Sequence, residues 1–212
     1  MRSTLLFLPL FLGCFALKAQ ETSEEPALSF YDQLVKAALF RVTQDVRYDP
    51  AYVSIEYPGG DVPADTGVCT DVVIRSYRAL GLDLQKLVHE DMRSNFSKYP
   101  KNWGLSRTDR NIDHRRVPNL QRFFKRMGAE LPITDSAENY KPGDVVAWDL
   151  NGRGLTHIGI VVPGPEGQAA GEWIVHNIGA GPRLERHLFE WKIIGHYRFG
   201  EGVAKNYTAP AS

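Results

Sequence analysis

From Tyr140 onward the apolar residues of this chain change period, and that change limits the fold more than any other feature. Upstream, apolar stripes recur at helical spacing. Tyr31, Leu34, Val35, Ala38, Leu39 and Val42 form one stripe, which predicts a helix over 29–46 that Asp49-Pro50 stops. Tyr52 to Tyr57 is short and β-rich, and predicts an edge strand before the Pro58-Gly59-Gly60 turn. Val68, Val72, Val73, Tyr77 and Leu80 predict an amphipathic helix ended by Gly81. Further helices are expected over 83–92, with Leu84, Leu87 and Val88 inward, and over 119–127, ended by Gly128. After Tyr140 the period is two. Strands are expected over 144–149, 155–162, 172–178 and 191–199, with turns at Pro142-Gly143, Asn151-Gly152-Arg153-Gly154 and Pro163-Gly164-Pro165. Helices followed by an antiparallel meander make an α+β domain.

The first 20 residues stand apart. Arg2 precedes an apolar run from Leu5 to Leu17, and Ala19-Gln20 leads into an acidic stretch, the pattern of a cleaved export leader. Lipid attachment at Cys14, after Leu12-Gly13, is the alternative, but the Phe residues around it fit that signal less well. Residues 1–20 are therefore read as a signal peptide, 21–27 as a flexible N-terminus, 28–200 as one domain and 201–212 as a tail. The protein is expected in the periplasm or outside the cell, with no run able to cross a bilayer once the leader is set aside. The formal net charge is zero, which points to no charged partner.

Export changes the meaning of the cysteines. Of the two, Cys14 leaves with the leader or becomes an anchor, so Cys69 is expected as the one free thiol of the mature chain, with no internal disulfide. A lone thiol in an oxidising compartment is either buried or used. Cys69 falls in the first turn of a predicted helix, where free N–H groups and the dipole favour a thiolate. A small buried cysteine is the alternative reading.

A thiolate needs a base, and His supplies it most often. His157 lies within a predicted strand, from which its side chain can point to the helix packed on the sheet, and Gly159 on the same face gives that helix room. His176 lies in the following strand, where it could hold the far nitrogen of His157 as the third member of a triad does. Strand alternation sends His176 and Asn177 to opposite faces, so only one can serve, with Asn177 in reserve. His89 and His114 read as surface residues, and His187 and His196 as peripheral. A zinc site from His157, His176 and Asp144 has no recognised ligand spacing, and no cofactor is expected. Residues 98–126 carry nine basic residues against Asp109 and Asp113. That stretch is either a solvated face or an anion-binding surface. Nucleic acid is not expected as a partner of a chain read as exported and carrying no nucleic-acid motif.

Val-Cys-Thr-Asp opening a helix, Pro-Gly-Asp-Val-Val-Ala-Trp, His-Ile-Gly-Ile-Val-Val and Ile-Val-His-Asn, in that order, resemble the NlpC-type cell-wall cysteine peptidases of the papain-like clan. More closely, YPGGDVP, GVCTDVVIR and KPGDVVAWDL resemble a bacterial family known as domain of unknown function 1287, over roughly 35–200. The resemblance implies a papain-like core in which the Cys helix packs on an antiparallel sheet. It implies an exported cysteine hydrolase of an amide bond, with peptidoglycan stem peptide as substrate. Cys69 would be nucleophile, His157 base and acid, and His176 the orienting residue. Tyr57, twelve residues before the Cys, would line the site and hold the oxyanion, and Arg115 and Arg116 would bind substrate carboxylates. The peptidases read Asp-Cys-Ser-Gly at the nucleophile. Here Asp71 stands two residues after the thiol, and must turn away or pair with an Arg such as Arg75. An acyltransferase or thioesterase on the same triad, and a non-catalytic envelope-binding protein, are the alternatives.

Overall fold

The computed structural model describes residues 27–200, apart from 167 and 169–171, together with residue 202. The expected leader with Cys14, nearly all of the expected N-terminal segment and all of the expected tail but residue 202 lie outside the described residues. Four helices precede a five-stranded antiparallel sheet, so the α+β order expected from the change of period is what forms.

Helix α1 spans Phe30–Val42. Ser29 caps it: its hydroxyl accepts the Asp32 N–H at 3.2 Å, while the Asp32 carboxylate accepts the Ser29 N–H at 3.2 Å. Strand β1 (Arg47–Tyr48) pairs in parallel with β2 (Thr66–Gly67). The expected strand over Tyr52 to Tyr57 does not form. Side chains satisfy that backbone instead: Ile55 N–H donates to Asn111 Oδ1 at 3.1 Å, and Glu56 O accepts from Gln85 Nε2 at 2.8 Å. Helix α2 is Cys69–Ala79, α3 is Leu84–Ser94 and α4 is Val117–Arg126. Cys69–Tyr77 is buried on every side of α2, polar residues included. The amphipathic pattern expected for α2 is present, and its polar face is covered as well, by a 3-10 turn at Asp113–Arg115 and the loop before α2.

The sheet holds β3 (Val145–Asp149), β4 (Thr156–Val162), β5 (Trp173–His176), β6 (Arg183–Glu185) and β7 (Lys192–Tyr197) in the order β6-β5-β4-β3-β7. A plain meander was expected. The short β6 is additional, and β7 crosses to the far edge against β3. Asp144, at the foot of β3, anchors that crossing by accepting from His196 Nε2 at 2.8 Å and Arg198 Nη1 at 2.6 Å. His196 is therefore buried, not peripheral.

Two cores sit on the two faces. Val145, Ala147, Ile158, Ile160, Val162 and Val175 face the helices and pack with Leu34, Val73, Tyr77, Leu120 and Phe124. Val146, Trp148, Val161 and Ile174 face away and are closed over by Tyr140, Leu188 and Trp191. Alternation along each strand produces this split.

Candidate active site around Cys69

Cys69 is the first residue of α2 and is 7% exposed. Its sulfur is reached by the backbone N–H groups of Ile158, Thr70 and Cys69 itself. The two helical donors belong to the unpaired first turn. The third is free for a different reason. Alternate N–H groups of β4 bond β3, which turns Ile158 N–H toward β5, and β4–β5 pairing begins only at Ile160↔Val175. The thiol fills that notch at the sheet edge. Burial nevertheless pushes the thiol up to about 12, because desolvation outweighs all three donors and the Asp71 charge adds to it. The expected resting thiolate is corrected accordingly: the sulfur rests protonated.

Asp71 is held in place twice over. It accepts the Val68 N–H at 2.7 Å, and Arg115 reaches both of its oxygens at 2.9 Å. Arg75, the partner expected for Asp71, instead bonds Asp61 at 2.9 and 3.2 Å. Arg115 is thereby spent on Asp71 and on Ala51 O, and Arg116 pairs with Asp113 at 3.1 Å while its guanidinium stacks over Trp103 at 4.1 Å. Both arginines line a cavity of ≈210 Å³ that also holds Cys69, Tyr48, Val68, Ile112 and Thr156.

His157 and His176 come together. Nε2 of His157 lies 2.7 Å from Nδ1 of His176, and both rings are buried. They do not point to the helix. Ile158 takes the helix-facing position, so His157 lies on the other face with Trp148 and Trp191, at ring separations of 5.7 and 6.0 Å. The reading of Gly159 changes with it. A Cβ there would stand 2.9 Å from Val175 O and 3.1 Å from His176 Cβ, so Gly159 makes room for the second imidazole, not for a helix. Among the described residues the thiol makes no hydrogen bond with the His157 ring. What joins the two centres is a single step of backbone, from His157 to the Ile158 N–H that reaches the sulfur. Burial lowers His157 to about 3, with the neighbouring His176 adding to the shift, so this ring is neutral at pH 7.

Asn177 goes to the opposite face, as alternation requires, where Nδ2 donates to Gly67 O at 3.3 Å. It steadies the loop before Cys69 and does not touch His157. Tyr57 is not brought to the cavity. The chain before α2 carries it outward, where its ring packs edge-on against His89 at 5.0 Å and faces Arg110. The tyrosine beside the thiol is Tyr48, placed by the β1–β2 pair. Its hydroxyl is raised by burial first and then by the Cys69 and Asp71 charges, which keeps it protonated. His114, read as surface, is 2% exposed, and burial lowers it to about 3.

One residue had no place in the sequence reading. Glu185 on β6 lies with Oε2 2.7 Å from Nε2 of His176. Arg183-Leu184-Glu185 after a Gly-Pro turn carries a three-residue alternation, too short to mark a strand by period alone. Asp144 is committed to β7, and among the described residues no cluster of three His, Cys, Asp or Glu could hold a metal. No helix among them is long and apolar enough to cross a membrane.

A family model described as "Domain of unknown function (DUF1287)" matches residues 35–199. A protein of Escherichia coli (strain K12) described as "Uncharacterized protein YijF" is 53% identical over 152 residues, which is 72% of this chain and 73% of that one. Among solved structures, NlpC1 from Trichomonas vaginalis aligns with a TM-score of 0.43 at 13% identity, over 80% of this chain and 44% of that chain. The chain thus spans less than half the length of that structure, and a likeness at that level says nothing about activity.

Proposed function

We propose that this chain, which belongs to the DUF1287 family, is an exported cysteine hydrolase of amide bonds that acts on peptidoglycan stem peptides. The observation that carries the reading is the His157–His176 pair at 2.7 Å, one residue from the backbone N–H that reaches the Cys69 sulfur. The export leader read from the sequence and the motif order of the cell-wall peptidases support the compartment and the substrate.

In this mechanism both partners begin neutral. The S–H proton passes to Nδ1 of His157, the nitrogen not engaged by His176, as the sulfur attacks the substrate carbonyl carbon. Catalytic hydrogen bonds commonly tighten only when substrate is bound, and this mechanism requires the His157 ring and the sulfur, joined in the free protein through the Ile158 N–H, to meet in that complex. The tetrahedral oxyanion takes the Cys69 N–H, a donor worth on the order of 3 kcal/mol in such transition states. Tyr48 assumes the part assigned to Tyr57. The C–N bond breaks as His157 returns the proton to the leaving amine. Water, deprotonated by the same ring, then cleaves the thioester and restores the thiol.

The test incubates purified sacculi with the protein and with Cys69→Ala and His157→Ala, and identifies released fragments by mass spectrometry. Release of stem-peptide fragments by the wild type alone is the expected result. Binding to sacculi without release, unchanged in Cys69→Ala, would favour an envelope-binding protein.

A further inference from the structure

We propose that Glu185 is a positioning residue that fixes the proton order of the whole His pair, so that the free nitrogen of His157 is the basic one. Four atoms in two short contacts set the order. Glu185 Oε2 stands 2.7 Å from His176 Nε2, and His176 Nδ1 stands 2.7 Å from His157 Nε2. An ionised carboxylate only accepts, so the proton of this contact sits on His176 Nε2. A neutral imidazole carries one N–H, which leaves His176 Nδ1 as a lone pair. That lone pair can only accept, so His157 bears its proton on Nε2. Its Nδ1 is then unprotonated and able to take a proton from a thiol.

Both rings are held neutral, His157 at about 3 and His176 below its ordinary value, each chiefly through burial. Neutral imidazoles make the assignment unique, since a charged ring would donate from both nitrogens. Without Glu185 the pair could run the other way, with His176 Nδ1–H donating to His157 Nε2. The proton would then sit on His157 Nδ1, where it blocks acceptance from sulfur. The surroundings favour the first order. Glu185 is held against His176 by β5–β6 pairing, with Val175↔Leu184 and His176↔Arg183 in register. His187 stands 3.7 Å from its other oxygen and is paired in turn with Glu190. Trp191 closes over the rings, 6.0 Å from each of the pair.

The role in turnover rests on the hydrolase reading; the proton order does not. The direct test is therefore spectroscopic, on the full chain with nitrogen-15-labelled histidine. Long-range nitrogen–proton correlation distinguishes a protonated ring nitrogen from a lone-pair one. Expected for wild type at pH 7 is a single tautomer for each of His157 and His176, protonated at Nε2. Glu185→Ala is expected to give mixed tautomers at both rings. Glu185→Gln, which keeps a carbonyl acceptor, is expected to restore them, and Glu190→Gln to leave them unchanged. Protonation of wild-type His157 at Nδ1 would overturn the proposal even if every variant failed to fold, and so would unchanged tautomers in Glu185→Ala. With sacculi as substrate, Glu185→Ala is expected to lower kcat about 10- to 100-fold, as loss of an orienting partner does, with KM little changed and Glu185→Gln intermediate. Expected tautomers without Cys69-dependent release would overturn the hydrolase reading and leave the proton order standing.

Discussion

Arg115 meets Asp71 through two parallel hydrogen bonds of 2.9 Å each, two residues past the thiol and almost fully out of water. This pair lets a carboxylate sit beside Cys69 while it completes the first turn of α2. Breaking it leaves a buried charge alone. Arg115→Ala is expected to cost about 3–5 kcal/mol, read as a lowered urea midpoint. Arg115→Lys is expected to recover only part of that, since an ammonium cannot match the fork of two parallel bonds.

The thiol rests protonated, which sets its reactivity. With the thiol at about 12, its alkylation by iodoacetamide in the free protein is expected to rise about tenfold per pH unit from 7 to 10 without a plateau, in proportion to the thiolate fraction. Asp71→Asn is expected to speed alkylation at any fixed pH, because the Asp71 charge opposes the thiolate. A plateau near neutral pH would show a preformed ion pair and contradict the neutral resting site.

Stability is expected to fall in acid. His114 and His157 sit at about 3 in the fold, against roughly 6.5 when unfolded. Between those values the unfolded chain binds more protons, so their contribution is complete above about 6.5 and is lost as pH falls toward 3. Asp113, raised by burial to about 6, works in the opposite sense from about 4 to 6 and offsets one of the two. The urea midpoint is therefore expected to drop between pH 6.5 and 4, and the drop to shrink in His114→Gln. A midpoint constant across that window would contradict this account.

Gly159→Ala puts a methyl 2.9 Å from Val175 O and 3.1 Å from His176 Cβ. Neither neighbour can move without disturbing β4–β5 pairing. A loss of about 1–3 kcal/mol is expected, the usual cost of overpacking, together with reduced Cys69-dependent release. Thermal melts and the sacculus assay measure the two effects separately.

The two tyrosines should separate in the same assay. Tyr48→Phe is expected to slow release several-fold, since Tyr48 lines the thiol cavity. Tyr57→Phe is expected to leave it unchanged, as Tyr57 packs on His89 away from that cavity.

Much of the fold was legible because it is written in local terms. The stripe of α1, Gly81 and Gly128 as helix stops and the period-two runs of β3, β4, β5 and β7 all follow from neighbours within a few residues. Alternation also placed His176 and Asn177 on opposite faces. It failed at His157 because period alone tells that Ile158 faces the other way, not which of the two faces the helices cover. Tyr57 was named by the family resemblance, whereas a two-residue parallel pair, silent in the pattern, brings Tyr48 to the cavity of the thiol instead.

The sequence by itself determined that helices precede the sheet, that Cys69 heads a helix and that two imidazoles stand one strand apart, since each depends on residue type and short-range periodicity. Tertiary structure alone decided the partner of Asp71, the protonation of the thiol and the arrival of Glu185 behind His176. Those depend on burial and on charges brought together across up to 44 positions of chain, and desolvation and hydrogen-bond geometry exist only once the distant segments have met.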